Sequence, residues 1–117
     1  MDLVEATQRY YRAVDAGDTQ GVVDWFAPDA VYHRPGYEPM RGRAELQAFY
    51  SGTRVIASGS HRVDQLIVDG PSVAVRGVFT GVLRDGTQVT VGFCDFVDYD
   101  EAGLAAERRT YFDTPAV

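Results

Sequence analysis

The sequence lacks several features that would assign it to a class at once. Its one cysteine, Cys94, excludes an internal disulfide, and no Cys or His partner at ligand spacing suggests a metal. The net charge is −6 and the 11 Lys plus Arg are scattered singly, so no basic stripe predicts nucleic-acid binding. No apolar run approaches the ~20 residues of a membrane helix, and no leader or lipidation motif is apparent. We therefore expect a soluble, unprocessed protein in a reducing cytoplasm.

The length of 117 residues suits one domain, residues 1–117, with one hydrophobic core. No repeat, linker or low-complexity stretch divides the chain. The whole sequence is therefore treated as a single folding unit.

Three helices are predicted in the first half of the chain. Residues 2–16 place apolar side chains, Tyr10 among them, on one helical face, and Gly17 follows as a C-cap. A short second helix is expected from Asp18 or Thr19 to Phe26, with Pro28 ending it. The third is predicted over residues 42–50, after a strand over residues 30–34 and an irregular Pro/Gly segment.

The pattern becomes β from His61 onward. Turn signals rich in glycine separate four predicted strands, over residues 63–68, 73–83, 89–99 and 104–112. Consecutive strands joined by short turns form an antiparallel meander. Helices segregated from such a sheet indicate an α+β domain whose apolar helices close over the sheet's inner face.

Asp95 lies in the middle of an apolar strand, residues 89–97. A carboxylate among hydrophobic neighbours is costly to desolvate, so it is paired, protonated or used in chemistry. The structural alternative is an ion pair with a core arginine, for which Arg34, Arg76 and Arg108 are the candidates.

Short motifs run through nearly the whole chain in a defined order. They are Gln8-Arg9-Tyr10, Ala16-Gly17-Asp18, residues 26–31, Arg41-Gly42 before Phe49-Tyr50, Asp95-Phe96 and residues 103–112. In order and spacing they resemble the nuclear transport factor 2-like superfamily, in particular its ketosteroid isomerase and SnoaL-like polyketide cyclase branches. The resemblance implies a cone-shaped fold, a curved antiparallel sheet wrapped around three N-terminal helices, with a pocket between them and often a homodimer.

The resemblance to ketosteroid isomerases also implies roles for individual residues. In those enzymes a tyrosine and a protonated aspartate donate hydrogen bonds to a dienolate oxygen while a second aspartate moves the proton. Tyr10 and Asp95 match the two donors, and Tyr50 resembles a supporting tyrosine. Arg34, before Pro35, stands where that family keeps its base, and a guanidinium stays protonated. Steroid isomerisation by that mechanism is therefore not expected.

Arg34 also suggests a different chemistry. If it lies within ~4–6 Å of Asp95, it favours the ionised carboxylate, which can accept but not donate a hydrogen bond. Asp95 would then serve as acceptor or general base, with Tyr10 donating to a substrate carbonyl and Arg34 holding developing negative charge. Tyr10, Asp95 and Arg34 are thus the candidate catalytic residues for enolate chemistry of the polyketide cyclase type, on a small apolar or enolisable ligand and without a cofactor.

The candidate substrate-binding residues follow from strand alternation and the resemblance: Phe26, Tyr32, Tyr50, His61, Arg108 and Phe112. Alternation puts Tyr32 with Arg34 and turns His33 away. It also groups Arg108 with Phe112, and a second interior cation would suit a carboxylate or enolate. His61 begins a strand and is a further candidate acid or base at the pocket mouth.

Residues 89–97 carry apolar side chains on both faces of the predicted strand. This predicts that helices cover one face of the sheet and a second subunit covers the other. Three alternatives to a cyclase or isomerase remain open. They are a non-catalytic protein that binds an apolar ligand, an interaction module that uses the outer sheet face, and an epoxide hydrolase, whose full set of acids is not matched.

Overall fold

Three helices cover one face of a six-stranded sheet in the computed structural model, which describes residues 2–115 and 117. The elements, in chain order, are α1 (Leu3–Asp15), α2 (Thr19–Trp25), β1 (Phe26–His33), β2 (Met40–Arg41), α3 (Gly42–Ala48), a π-helical turn (Phe49–Thr53), β3 (Ile56–Asp69), β4 (Ser72–Leu83), β5 (Gln88–Tyr99) and β6 (Ala105–Phe112). This confirms the predicted α+β class. None of the helices in the described residues is both long and apolar enough to cross a membrane.

Aspartates at their N-termini start the first two helices. The Asp2 carboxylate accepts a hydrogen bond from the backbone N–H of Glu5 at 3.0 Å, and Asp18 accepts one from Gly21 at 3.0 Å. The second helix ends one residue earlier than predicted, because Phe26 is already extended and begins β1. Pro28 therefore lies inside a strand and not at the end of a helix.

The sheet order is β2-β1-β6-β5-β4-β3. Strands β3 to β6 form the predicted antiparallel meander, but β1 pairs with β6 in parallel, with Tyr32 beside Arg108. The expectation of a purely antiparallel sheet is thus wrong in one pairing, because the meander brings the last strand back beside the first one in the same direction. This pairing places the inward faces of β1 and β6 next to each other.

Strand β3 begins seven residues earlier than predicted, at Ile56. Its first half is rich in serine and glycine and shows no apolar alternation, yet it pairs with β4 through Gly59 opposite Gly81 and His61 opposite Phe79. Backbone hydrogen bonding therefore extends this strand where side-chain pattern gives no signal. As a result His61 lies within the sheet and points to its inner face.

Aromatic side chains fill much of the space between helices and sheet. The Tyr10 and Trp25 rings lie 4.6 Å apart, and Phe26 packs against Trp25 at 4.9 Å. The buried polar residues within this core are Thr7, Arg34, Asp95, Arg108 and Thr110. Four of the five, Arg34, Asp95, Arg108 and Thr110, line one small cavity.

Gly77 offers a test of the β3–β4 packing. A Cβ there would lie 2.0 Å from the Arg62 carbonyl oxygen, beside the irregular pairing after Val63, and 2.9 Å from Phe93. We expect Gly77→Ala to lower the free energy of unfolding by about 1–3 kcal/mol in urea denaturation. Gly52→Ala is the control, since a Cβ there meets no atom of the described residues within 4 Å. Equal losses in both variants would contradict this packing.

Candidate active site

Asp95 is held by residues from two neighbouring elements. Its side chain is fully buried, and Asp95 stands opposite Thr110 in the β5–β6 pairing. Oδ2 accepts hydrogen bonds from the Tyr11 hydroxyl at 2.5 Å and from Arg108 Nη2 at 2.8 Å. Oδ1 accepts one from the Thr110 hydroxyl at 2.5 Å. The carboxylate is thus fixed between α1 and β6.

These contacts keep Asp95 ionised. Burial acts to raise the pKa of Asp95, but the charge of Arg108 and the hydrogen bonds from Thr110 and Tyr11 outweigh it, so the net pKa is lowered from 3.8. Asp95 is therefore an acceptor, unlike the donor carboxyl of ketosteroid isomerases. From the sequence, Arg34 is the cation expected to keep Asp95 ionised. The cation beside Asp95 is instead Arg108. Arg108 is, however, one of the three partners considered for a structural pair.

Arg108 joins the carboxylate to two phenols. Its Nη1 donates to the hydroxyls of Tyr10 at 2.6 Å and Tyr50 at 3.0 Å, while Nη2 binds Asp95. The guanidinium lies between the rings of Tyr10 and Tyr32, at 4.3 and 4.6 Å from their centroids. Burial acts to lower the pKa of Arg108, but the negative charge of Asp95 outweighs it, so the pKa lies well above its ordinary value. The cation is therefore permanent.

The Tyr10 and Tyr50 hydroxyls leave one proton free. They lie 2.6 Å apart, and burial raises the pKa of both phenols despite the opposing charge of Arg108, so both keep their protons. Each oxygen accepts from Arg108, and one phenol donates to the other. The remaining O–H has no acceptor in the described part of the chain. It is available to donate to an oxygen of a ligand.

A second set of hydrogen bonds has its donors fixed by elimination. The Thr110 hydroxyl donates its one proton to Asp95, so in its hydrogen bond with the Tyr32 hydroxyl, at 2.9 Å, it is the acceptor. Tyr32 in turn accepts from Arg34 Nη1 at 3.2 Å. Arg34 is thus linked to Asp95 through two hydroxyls, and no ion pair joins the two among residues 2–115 and 117.

Arg34 points inward with Tyr32, the residue with which strand alternation grouped it. Its side chain is 7% exposed and its guanidinium lies 5.1 Å from the Phe112 ring and 5.3 Å from that of Phe49. Nε and Nη2 are buried and have no hydrogen-bond partner in the described residues. Arg34 is therefore an interior residue and does not point to solvent.

His61 is paired with an aspartate that sequence reasoning did not identify. The ring Nδ1 lies 2.6 Å from Asp15 Oδ1, and the backbone N–H of His61 donates to Asp15 Oδ2 at 2.9 Å. Burial lowers the pKa of His61 below 6.5 and outweighs the opposite effect of Asp15, so the ring is neutral at pH 7. Because Asp15 accepts the Nδ1 proton, Nε2 carries the free lone pair. No local pattern links these residues, which come together only when α1 packs on β3.

Two spaces adjoin at this site. The central cavity is lined by Tyr10, Arg34, His61, Asp95, Arg108 and Phe112, among others, and measures about 10 Å³. The groove, lined by Asp15, Tyr50, Arg54, Ile56 and Phe79 among others, measures about 290 Å³ and shares Arg54, Ile56 and Phe79 with the central cavity. A central cavity of that size holds about one water molecule. A group larger than one water molecule therefore fits the groove, and it fits the central cavity only if side chains there move.

The predicted site residues are distributed unevenly over these spaces. Six of the nine line the central cavity and Tyr50 lines the groove. Phe26 and Tyr32 are fully buried and line neither space. Sequence reasoning missed Tyr11 and Arg54 as well as Asp15. Tyr11 had a signal, since it follows Thr7 by four residues and so shares its inward helical position.

Cys94 lies outside the central cavity and the groove. Cys94 is partly exposed, and burial raises the pKa of its thiol, which disfavours the reactive thiolate. In the described ranges, no three His, Cys, Asp or Glu side chains are grouped as ligands.

Removing the charge of Asp95 tests the buried pair. Asp95→Asn leaves Arg108 buried without a counter-charge, so we expect a loss of about 3–5 kcal/mol in the free energy of unfolding at pH 7. Because the pKa of Asp95 is lowered on folding, this stabilisation is present above pH ~4 and is lost as the pH falls through the lowered value. Urea denaturation at several pH values measures both effects.

Asp98→Asn is the matched control for that experiment. Asp98 lies on the same strand but is exposed and accepts one hydrogen bond, from Ser72. Its substitution should cost about 1 kcal/mol or less. A loss no larger in Asp95→Asn than in Asp98→Asn would show that the buried pair is not a stabilising unit.

Known proteins resemble the chain over most of its length. A family model described as a SnoaL-like domain matches residues 7–108. A nuclear transport factor 2-like protein of unknown function from Burkholderia pseudomallei superposes with a TM-score of 0.85 at 24% identity, over 97% of this chain and 92% of that one. SalBIII, an epoxide hydrolase/cyclase-like enzyme in pyran ring formation in the polyether salinomycin, superposes with a TM-score of 0.84 at 22% identity, over 96% of this chain and 91% of SalBIII. TerC, co-crystallised with polyporic acid, superposes with a TM-score of 0.83 at 24% identity, over 97% of this chain and 93% of TerC. These structures share the nuclear transport factor 2-like fold, and the chain belongs to the SnoaL-like domain family.

Proposed function

We propose that the protein is a small-molecule enzyme that performs cofactor-free acid–base chemistry on an enolisable ligand, as an isomerase, cyclase or lyase. The observation that supports this most is the meeting of a neutral imidazole with a free lone pair, on His61, and a free phenol proton, on Tyr10 or Tyr50, around the central cavity and its groove. Enolate formation needs both a base at the acidic carbon and a donor at the oxygen.

His61 is the proposed general base. Asp15 fixes its tautomer and orientation, and its lowered pKa leaves it unprotonated at neutral pH. Asp95 is the second assignment, since one of its roughly four acceptor positions remains after three hydrogen bonds. Its lowered pKa, however, makes it a weaker base than an imidazole.

The Tyr10 and Tyr50 pair is the proposed donor to the enolate oxygen. Arg108 donates to both phenol oxygens, which polarises the remaining O–H and strengthens the bond it makes. Asp95 then acts mainly by holding Arg108 in place. Arg34 is proposed to stabilise negative charge, because its free guanidinium edge lies at the same cavity.

The relatives support a small-molecule ligand. SalBIII takes part in pyran ring formation, and TerC binds polyporic acid in its crystal. A ring-forming reaction or a cyclic, acidic ligand is therefore consistent with the shared fold, while the residues around the pocket set the chemistry of each member.

A non-catalytic binding protein is the second candidate function. It is favoured by the central cavity of about 10 Å³ and by the mutual neutralisation of Asp95 and Arg108. In that case the groove alone would hold an apolar ligand.

The exchange of acidic protons for deuterium distinguishes the two functions. We expect the protein to accelerate exchange at the α-carbon of members of a panel of β-keto esters and tetralones, followed by NMR in D₂O. His61→Gln should lower the exchange rate by about 100-fold or more. The rate should rise with pH through a value below 6.5 and stay level above it, because the base works unprotonated.

His33→Gln is the matched control, since His33 lies on β1 outside both spaces. A rate lost in Asp95→Asn but kept in His61→Gln would assign the base to Asp95. Saturable binding of a phenolic enolate mimic without any exchange would favour the binding protein.

We also propose that a second copy of the chain covers the outer sheet face. Phe96 and Tyr111 are each 51% exposed there, with rings 6.1 Å apart, and Ile67 is 53% exposed. Glu107 and Arg109 on the same face give it charges of both signs, which a two-fold axis can pair between copies. An interaction module would use the same surface for a different partner.

Light scattering tests this assembly. We expect a dimer mass at micromolar concentration and a monomer mass for Phe96→Arg, because a charge at the centre of an apolar contact opposes association. Val4→Arg places the same charge at an exposed apolar residue of α1 and should leave the dimer intact. A monomer mass for the unaltered protein would disprove the proposal.

A further inference from the structure

The central cavity carries more positive than negative charge. Arg34, Arg54 and Arg108 line it, and among the described residues that line it Asp95 is the one carboxylate, which leaves an excess of two positive charges in a chain of net charge −6. His61 adds none because its ring is neutral at pH 7. Arg34 and Arg108 are buried, and a buried cation without a counter-charge is costly. Arg108 is paired with Asp95, whereas Arg34 has no ion-pair partner among the described residues. An anion bound here would remove that cost.

The guanidinium of Arg34 has the free edge that such an anion needs. Nη1 is occupied by Tyr32, but Nε and Nη2 lie side by side, buried, and without partners in the described residues. An Nε/Nη2 pair is a planar fork that matches the two oxygens of a carboxylate through parallel hydrogen bonds. The rings of Phe112, Phe49 and Tyr37, at 5.1, 5.3 and 6.0 Å, hold the plane of the fork.

Arg54 provides a second, independent cation on the route from the groove. Its guanidinium lies 5.7 Å from the Tyr50 ring centroid, and its buried Nε also has no partner in the described part of the chain. Because Arg54 lines both the groove and the central cavity, an anion that moves inward passes it before it reaches Arg34.

We propose that the site binds a carboxylate, with its two oxygens on the Nε/Nη2 edge of Arg34 and the apolar remainder of the ligand in the groove. The central cavity is smaller than a carboxylate, so binding displaces side chains that separate it from the groove, such as Ile56 and Phe79. The inference deepens the proposed function by naming the substrate class. It rests on the proposed function because both place the ligand in the central cavity and the groove. It concerns binding, whereas the proposed function concerns proton transfer.

The stability of the variant Arg34→Met distinguishes a structural role of Arg34 from a role in ligand binding. If its contacts with Tyr32 and the aromatic rings exist to hold the fold, Arg34→Met lowers the melting temperature. If they exist to present the fork, the variant loses a buried, partly unpaired cation and melts at the same temperature or higher. Stability therefore separates the two roles.

Two matched probes test the site by calorimetry in 150 mM salt, which screens long-range attraction. We expect the protein to bind 2-naphthoate about tenfold or more tightly than the neutral 2-naphthamide. Arg34→Met should abolish this preference without lowering the melting temperature. Arg34→Lys should keep part of it, since the charge remains but the fork is lost.

Arg41→Met is the control, because Arg41 is exposed on β2 and outside both spaces. Equal affinity for the two probes in the unaltered protein, a preference kept in Arg34→Met, or one lost equally in Arg41→Met would each overturn the proposal. If Arg34→Met does not fold, the structural role is shown and the proposal also fails.

His61→Gln keeps the outcomes of the two proposals apart. It should keep the ratio of affinities for 2-naphthoate over 2-naphthamide, since the fork is intact and any change in the shared cavity lining affects both probes alike. A protein that prefers the carboxylate but catalyses no exchange would retain this inference and lose the proposed enzymatic function, and the reverse result would retain only the latter.

Discussion

The rest of the interior depends on the buried ion pair between Asp95 and Arg108. Both side chains are almost completely excluded from solvent, and either charge alone would cost several kcal/mol. Arg108 binds the phenols of Tyr10 and Tyr50, and Asp95 binds Tyr11 and Thr110. The pair thus connects α1, the π-helical turn, β5 and β6 at one point. It allows a polar site to exist inside an apolar cone.

In the described residues, the buried side-chain nitrogens without a hydrogen-bond partner all belong to arginines. Around Asp95, the three donors that reach the carboxylate are satisfied, and Arg108 has one unpartnered nitrogen, Nε. Around Arg34 and Arg54, buried N–H groups have no partner in the described residues. Proteins tolerate such a cost mainly where function benefits, and the two unpartnered nitrogens of Arg34 agree with the carboxylate site proposed there. Arg108 combines two roles, since it balances the charge of Asp95 and binds the phenols of the proposed donor pair.

Much of the fold could be predicted because its signals are local. The β4 and β5 strands agree with prediction within one residue, since long apolar alternation ends at glycine turns. Alternation also grouped Arg34 with Tyr32 and Arg108 with Phe112, and both arginines are buried in the structure. The errors lie where local signals are weak or conflict. The first half of β3 is held by backbone pairing without an apolar pattern, and Phe26 fits a helix end as well as a strand start.

The sequence by itself determined the fold class, the family resemblance and the inward face of most strands, because these follow from periodicity and motif order. The tertiary structure alone decided that Asp95 pairs with Arg108, that Tyr11 and not Tyr10 reaches Asp95, and that Asp15 lies beside His61. Adjacent helix residues point about 100° apart, so the rotation of α1 about its own axis decides which of the two phenols reaches Asp95. Such contacts depend on how helices dock on the sheet, and docking is set by the whole core.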